Sequence, residues 1–427
     1  MRRGTTRPSL EIHFAQGDRM TQLAGDRYIV ISSDGHAGAP MVEYRGYLEP
    51  GWLDEFDEWA KSYVNPFTDL RGVTAYRNWD SSQRLQELED DGVVAEVLFP
   101  NTIPPFFPSA SLVARQPKTR DDYDRRWAGL KAHNRWLADF CSDTPGRRAG
   151  VAQVFLNDID DAVAEIRWAR DHGLHGGILL PGVPPDAGLP PLIAPDYEPL
   201  WAVCEDLDMP VNNHTGQAGP DNGQYEASMA MFMIELGWFS HRVFWHLVFG
   251  GVFARHPRLK LVLTEQSCGW VPSVLAMLDH QYRRFLTPGA AEANFGGELA
   301  KKMDLSPSEY WSRNCYAGAS FLRPNEAALR YEIGVDSIMW GQDYPHVEGT
   351  YPYTTEALRH TFAGVDTGEV AAMVGGTAAE VYGFDLDALA ATAARVGPTV
   401  DEVDRPLDEI PADSVSIAFA GEAVKPW

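Results

Sequence analysis

The sequence predicts an α/β protein, a distorted (β/α)8 barrel with long loops after its strands and a C-terminal extension. Three observations carry this reading. Eight short apolar runs recur along the chain, amphipathic helical patterns lie between them, and two of the three long connections follow the first two strands, where such barrels carry their working loops. Eight alternations favour a closed barrel over an open, doubly wound sheet.

In order, the runs are "RYIVISSD" (27–34), "VVAEVLFP" (93–100), "RRAGVAQVFL" (147–156), "LHGGILLPG" (174–182), "MPVNNH" (209–214), "LKLVLTEQ" (259–266), "NCYAGAS" (314–320) and "SIMWGQD" (337–343). Most are apolar at consecutive positions, which suits parallel strands buried on both faces. Between them, residues 81–92 open on serines fit to cap a helix and close on Gly92. Residues 122–143 place Trp127, Leu130, Asn134 and Leu137 at helical intervals. Residues 158–173 begin with aspartates suited to the positive end of a helix dipole and stop at Gly173. Residues 197–208, 270–285, 324–334 and 354–364 continue the helical series. The connections 37–80, 100–122 and 286–313 are long, and the first is rich in Trp, Tyr, Phe and Pro. The expected organisation is an N-terminal extension over 1–25, a barrel over 26–385 and an acidic tail over 386–427. That tail is expected to wrap the barrel or to contact a second subunit in a homo-oligomer, a dimer.

Composition narrows the function. The 427 residues are 44% hydrophobic and carry a formal net charge of -24, which disfavours nucleic acid and anionic membranes as partners. No run reaches the roughly 18 apolar residues of a membrane span, and the basic N-terminus lacks the apolar core of a secretory signal. Cys141, Cys204, Cys268 and Cys315 are scattered and form no CxxC pair, so they read as reduced thiols of a cytoplasmic protein. No GxSxG elbow follows a strand, which disfavours a Ser-His-Asp hydrolase.

Polar residues cluster at the strand ends. Asp34 and His36 end the first strand, His214 the fifth, Glu265 the sixth and Asp343 the eighth. Residues i and i+2 of a strand face the same way, so Asp34 and His36 can point inward together. Two imidazoles and two or three carboxylates suit one divalent ion, zinc first, with manganese or iron as alternatives. Taken singly, each has a structural alternative: Asp34-Gly35 as a turn, His214 as a strand cap, Asp343 as a loop anchor.

The stretches "ISSDGHAGAP", "DDGVVAEVLFPN", "DYEPLWAVCEDLDMPVNNHTG", "GGVFARHPRLKLVLTEQSCGWVP" and "IMWGQDYPHVEGTYP" resemble the amidohydrolase-2 branch of the metal-dependent amidohydrolase superfamily. That branch includes decarboxylases similar to aminocarboxymuconate-semialdehyde decarboxylase. The resemblance covers residues 28–385 and implies one divalent metal at the mouth of a distorted TIM barrel. The ligands it implies are Asp34, His36, His214 and Asp343. Asp34 stands where the family has His or Glu, which leaves open whether it binds the metal directly or through water.

At the end of the sixth strand the similar decarboxylases carry an acid-base histidine; here the position falls on Glu265. That carboxyl is open to three roles: a base, an acid with a raised pKa, or a substrate anchor. His246 and His241, on the helical stretch before that strand, are candidates for the missing imidazole, with core packing as the alternative. Arg71 and Arg77 are candidates to pair with a substrate carboxylate, and His346 to line the pocket. The leading expectation is a hydrolase cleaving a C–N or C–O bond of a small organic substrate, an aromatic one among the candidates, with Asp343 moving the proton of a metal-activated water. The alternative is non-oxidative decarboxylation, and the third reading is a non-catalytic barrel that binds a small molecule.

Overall fold

In the computed structural model, residues 22–65, 70–109 and 113–421 are described. Eight parallel strand positions follow one another: β1 (Val30–Ala37), β2 (Val93–Pro100), β3 in two pieces (Arg148–Gly150 and Ala152–Gln153), β4 (Ile178–Leu179), β5 (Val211–His214), β6 (Leu261–Thr264), β7 (Cys315–Ser320) and β8 (Ile338–Gly341). Neighbours in sequence are neighbours in space: β1 to β3 form one ladder, and the second piece of β3 starts another that runs through β8. The break at Val151 divides β3 between the two, since Val151 N–H donates to Leu98 of β2 and Ala152 N–H to Gly177 beside β4.

The ring closes between β8 and β1. Asp343 N–H donates to the Asp34 carbonyl at 2.8 Å, and His36 N–H donates to the Tyr344 carbonyl at 2.7 Å. The strands are almost wholly buried because helices cover the barrel's outside, and most of their positions are apolar. Polar groups then concentrate where strands end.

Helices fill the connections: α1 (Leu53–Ser62), α2 (Ser81–Asp90), α3 (Arg120–Ser142), α4 (Ile159–Asp171), α5 (Glu198–Asp206), α6 (Ser228–Phe249), α7 (Val271–Leu286), α8 (Thr354–Phe362) and α9 (Leu386–Val396). Helix α2 is capped one residue earlier than its serines suggest: the Asp80 carboxylate accepts from Gln83 N–H. The helix expected over 324–334 is two single turns, Pro324–Ala327 and Arg330–Ile333, interrupted at Ala328 and Leu329. The loop 37–80 contains α1, and 286–313 contains the helix Ala293–Ala300 and most of Pro307–Asn314.

The start of the barrel and the tail are tied together. Tyr28 N–H donates to Pro398 and Val400 N–H to Asp26, while Leu389 and Ala393 of α9 are buried in one apolar cluster with Ile29 and Val94. The expected extension over 1–25 lies outside the described residues up to 21, as do the last six residues of the tail.

Candidate metal centre

Three strand ends leave ordinary β geometry where the polar residues begin. Glu265, just past β6, has φ 55°, Phe321, just past β7, has 59°, and Asp343, past β8, has 59°. A left-handed conformation is costly for residues with a Cβ, and such outliers cluster at functional sites. It turns Glu265 and Asp343 off the strand direction towards the mouth.

There the expected ligands meet. His36 Nε2 lies 3.3 Å from Asp34 Oδ1 and 3.1 Å from Asp343 Oδ1, and His214 Nε2 lies 3.5 Å from Asp34 Oδ1 and 3.5 Å from Glu265 Oε2. Asp34, His36 and Asp343 are fully buried. Asp34 Oδ1, both Asp343 oxygens and the Nε2 atoms of His36 and His214 have no hydrogen-bond partner. Buried polar atoms left this way are costly, so their convergence calls for an ion among them.

The outer atoms of the same groups are held in place. The Nδ1 atoms of His36 and His214 face the Pro100 and Thr215 carbonyls at 3.4 and 3.2 Å, which leaves each Nε2 for the centre. Asp34 Oδ2 accepts from the Ser320 hydroxyl at 2.5 Å, so only Oδ1 is free to ligate. Gly341 makes room for this: a Cβ there would lie 2.8 Å from that of Asp34. The donor set of imidazole nitrogens and carboxylate oxygens fits a divalent cation.

Electrostatics within the cluster are strongly coupled. Burial opposes ionisation of Asp34, but the close imidazoles of His214 and His36 outweigh it and hold the carboxyl far below its ordinary range. Asp343 is also lowered: burial opposes it, while His346 and His36 prevail. Burial resists charge on His36, yet Asp34 and Asp343 raise it well above an ordinary histidine. Glu265 goes the other way. Burial, then the charges of Asp343 and Asp34, push it well above an ordinary carboxyl, although His36 opposes them.

His346 joins the cluster directly: its Nδ1 is 2.9 Å from Asp343 Oδ1, its ring centre is 4.2 Å from that of His36, and its Nε2 meets Asn101 Oδ1 at 3.2 Å. Glu348 escapes the sequence reading. It brings a carboxylate within 4.8 Å of those of Glu265 and Asp343, and its signal is the i+2 spacing from His346 in "PHVEG".

Other candidates lie elsewhere. His241 stacks on Trp270 at 3.8 Å and burial lowers its pKa to about 3, so it is a neutral core imidazole. His246 borders a cavity with Asn213 and Arg242, apart from the cluster, and burial and then Arg242 lower its pKa to about 4. Arg71 is exposed. Arg77 donates to Glu87 at 2.8 Å and lies over the Tyr351 ring at 4.9 Å. An internal carboxylate, that of Glu87, thus holds the Arg77 guanidinium through its Nε.

A parallel barrel with imidazoles and carboxylates gathered at its C-terminal mouth defines the class of barrels that hold a divalent metal there. Within that class, the chain belongs to the amidohydrolase family, which it matches over residues 79–384. The match begins after β1, so Asp34 and His36 are placed by geometry.

By sequence the chain is similar to γ-resorcylate decarboxylases. One is from Rhodococcus jostii (strain RHA1), 28% identical over 222 residues, 49% of this chain and 64% of that protein. Another is from Rhizobium sp. (strain MTP-10005), 26% identical over 217 residues, 49% of this chain and 63% of that protein. The chain thus spans less than two thirds of the length of these curated relatives. Its fold is that of 5-carboxyvanillate decarboxylase from Sphingomonas paucimobilis, with TM-score 0.61 and 19% identity over 84% of this chain and 99% of that one. A second such structure is dihydroxybenzoic acid decarboxylase from Polaromonas sp. JS666, with bound manganese and 2-nitroresorcinol. Its TM-score is 0.55 at 17% identity, over 83% of this chain and 97% of that one.

These relatives overturn the expectation of a hydrolase. The sequence matches are decarboxylases, and the lack of a histidine after β6 is no argument against that chemistry, since a carboxyl with a raised pKa is itself a proton donor.

Proposed function

We propose that this protein is a metal-dependent, non-oxidative decarboxylase of an aromatic carboxylic acid. The observation that carries the reading is the sequence match to γ-resorcylate decarboxylases. The buried, unpartnered donor set at the mouth supports it. Asp34, His36, His214 and Asp343 are assigned as the metal-holding residues. Manganese is the ion to test first: the mixed imidazole and carboxylate donor set accepts it, and the Polaromonas structure holds it, so zinc loses its priority.

The chemistry a bound divalent cation supplies is neutralisation of the substrate's carboxylate and an adjacent oxygen. Glu265 is assigned as the acid. Its proton goes to the ring carbon that bears the carboxylate, the bond to that carboxylate breaks, its electron pair returns to the ring, and CO2 leaves. Solvent then reprotonates Glu265, and no oxidant or reductant enters.

The test uses chelator-stripped protein reloaded with Mn²⁺ and given γ-resorcylate and 5-carboxyvanillate. CO2 release that disappears on chelation is expected. Protein with stoichiometric metal that releases no CO2 from these or related hydroxybenzoates would overturn the reading.

We also infer a homodimer. Met231, Ile234 and Trp238 of α6 are exposed at helical spacing, an apolar stripe that a second copy would cover. A monomer by light scattering would remove this assignment. No helix among the described residues is long and apolar enough to cross a membrane. A cytoplasmic location is the one we assign, on the four buried free thiols.

A further inference from the structure

Behind the metal centre lies a buried ion pair that the reaction above does not use. Arg84 of α2 is fully buried, and its fork meets Glu96 of β2 with Nε to Oε1 at 2.8 Å and Nη2 to Oε2 at 2.6 Å. Arg148 Nε approaches the same carboxylate at 3.4 Å. A buried ion pair is weak evidence for stability, because desolvation offsets much of its attraction. Its position is more informative.

The remaining Arg84 donors go to backbone on both sides of the barrel's closing seam. Nη1 donates to the carbonyls of His36 and Arg77, both at 2.8 Å, and Nη2 reaches the Tyr344 carbonyl at 3.4 Å. His36 is itself a ligand on β1, and Tyr344 directly follows the ligand Asp343. One guanidinium therefore grips both arms of the centre. The Tyr344 ring lies 4.6 Å from that guanidinium, and its hydroxyl donates to Glu87, one turn along α2, at 2.5 Å.

Gly35 gives a second, independent observation. It separates Asp34 from His36, and a Cβ there would lie 3.1 Å from Glu96 Oε2 and 3.4 Å from Arg84 Nη2. The ion pair fills the side-chain space of the residue between two ligands. It thus bears on the Asp34-Gly35-His36 backbone through contact as well as through hydrogen bonds.

We infer that Arg84, held by Glu96, is a positioning residue that sets the spacing between the β1 and β8 arms of the metal centre. The inference rests on the metal site proposed above. Lysine in its place keeps the charge but loses the fixed fork that reaches three carbonyls and a carboxylate at once.

The test compares wild type with Arg84→Lys, Gly35→Ala and a control, Arg147→Lys, whose Arg147–Glu89 pair at 2.8 Å lies away from the seam. Mn²⁺ affinity is read by calorimetry, the Mn²⁺ environment by its electron paramagnetic resonance spectrum, and folding by the Tm of the metal-free proteins. Arg84→Lys and Gly35→Ala should bind Mn²⁺ about tenfold or more weakly with an altered spectrum, as loss of a ligand's supporting contact does. Arg147→Lys should match wild type in both, whatever its Tm. Wild-type affinity and spectrum in folded Arg84→Lys would overturn the inference. If that variant fails to fold, wild-type behaviour of Gly35→Ala would do the same. Wild type that takes up no Mn²⁺ sinks the metal site itself and this inference with it, a result distinct from variants that bind as wild type does.

Discussion

Glu265 and Asp343 share a left-handed backbone at the ends of two strands, yet their surroundings push their protons in opposite directions. Asp343 has His36 and His346 within 3.1 Å, whereas Glu265 has the Asp343 and Asp34 charges and His214 only at 3.5 Å. Two carboxyls with separated proton affinities are what an acid and a ligand require side by side. Glu265→Gln keeps the shape and removes the transferable proton. CO2 release should fall at least about 100-fold while Mn²⁺ content holds. Because the Glu265 pKa is raised, the wild-type rate should be present at lower pH and lost as pH rises through that pKa, and the amide variant should lack this limb. Undiminished CO2 release by Glu265→Gln would remove Glu265 as the proton source. The ligands predict a different pattern: Asp343→Asn and His214→Ala should both lose activity, with metal content falling most in the histidine variant. Full activity in both would mean that the mouth has been misplaced.

Helix α2 shows how an element serves the site from outside it. Its inner face carries Arg84, Glu87 and Leu88 to the seam, and its first turn is fixed by Asp80, whose carboxylate accepts from Gln83 N–H at 2.9 Å. Asp80→Ala should cost about 1 kcal/mol, the usual worth of an N-cap, read as a lower urea midpoint at unchanged slope. A midpoint equal to wild type would show that the seam contacts alone hold the helix. The serines next to Asp80 drew the sequence reading one residue late, because Ser and Asp are both good caps and only geometry selects between them. Strands were easier to read, since burial on both faces leaves continuous apolar runs. Even so, residues 174–182 yield only Ile178–Leu179 as strand, since apolar character marks burial and not pairing. Asp34, His36, His214 and Asp343 were legible because strand ends put ligand types at countable positions. Arg77 was not: its partner Glu87 lies on the next helix, and the Tyr351 ring it covers is far along the chain. Glu348 sits in a loop without periodicity, where its i+2 spacing from His346 was the one cue that tied it to the cluster.

At the scale of the whole molecule, the first loop is fastened to the barrel's shell through a buried imidazole. His133 of α3 is fully buried, with Nδ1 2.8 Å from the Tyr44 hydroxyl, which also meets the Thr102 hydroxyl at 2.8 Å and accepts from Ala39 N–H at 3.2 Å. Burial lowers the His133 pKa from 6.5 to about 3. A histidine depressed in this way is neutral when folded and titrates near 6.5 when unfolded. Between those values the unfolded chain binds a proton that the folded chain does not. The contribution of His133 to stability is therefore fully present above pH 6.5 and is lost as pH falls towards 3. Many other groups titrate over that range, with Asp91, raised to about 7 by burial, acting in the opposite sense. Absolute stability curves mix all of them, but the difference between wild type and His133→Gln isolates one imidazole. The variant should be less stable at neutral pH because it breaks the contact with Tyr44. Its deficit should shrink by up to about 1.4 kcal/mol for each pH unit below 6.5. Urea unfolding of the two proteins from neutral pH down to about 5 reads this directly. Parallel curves would mean that His133 takes up its proton in the folded state as readily as in the unfolded chain, and that the loop is not fastened by a neutral imidazole.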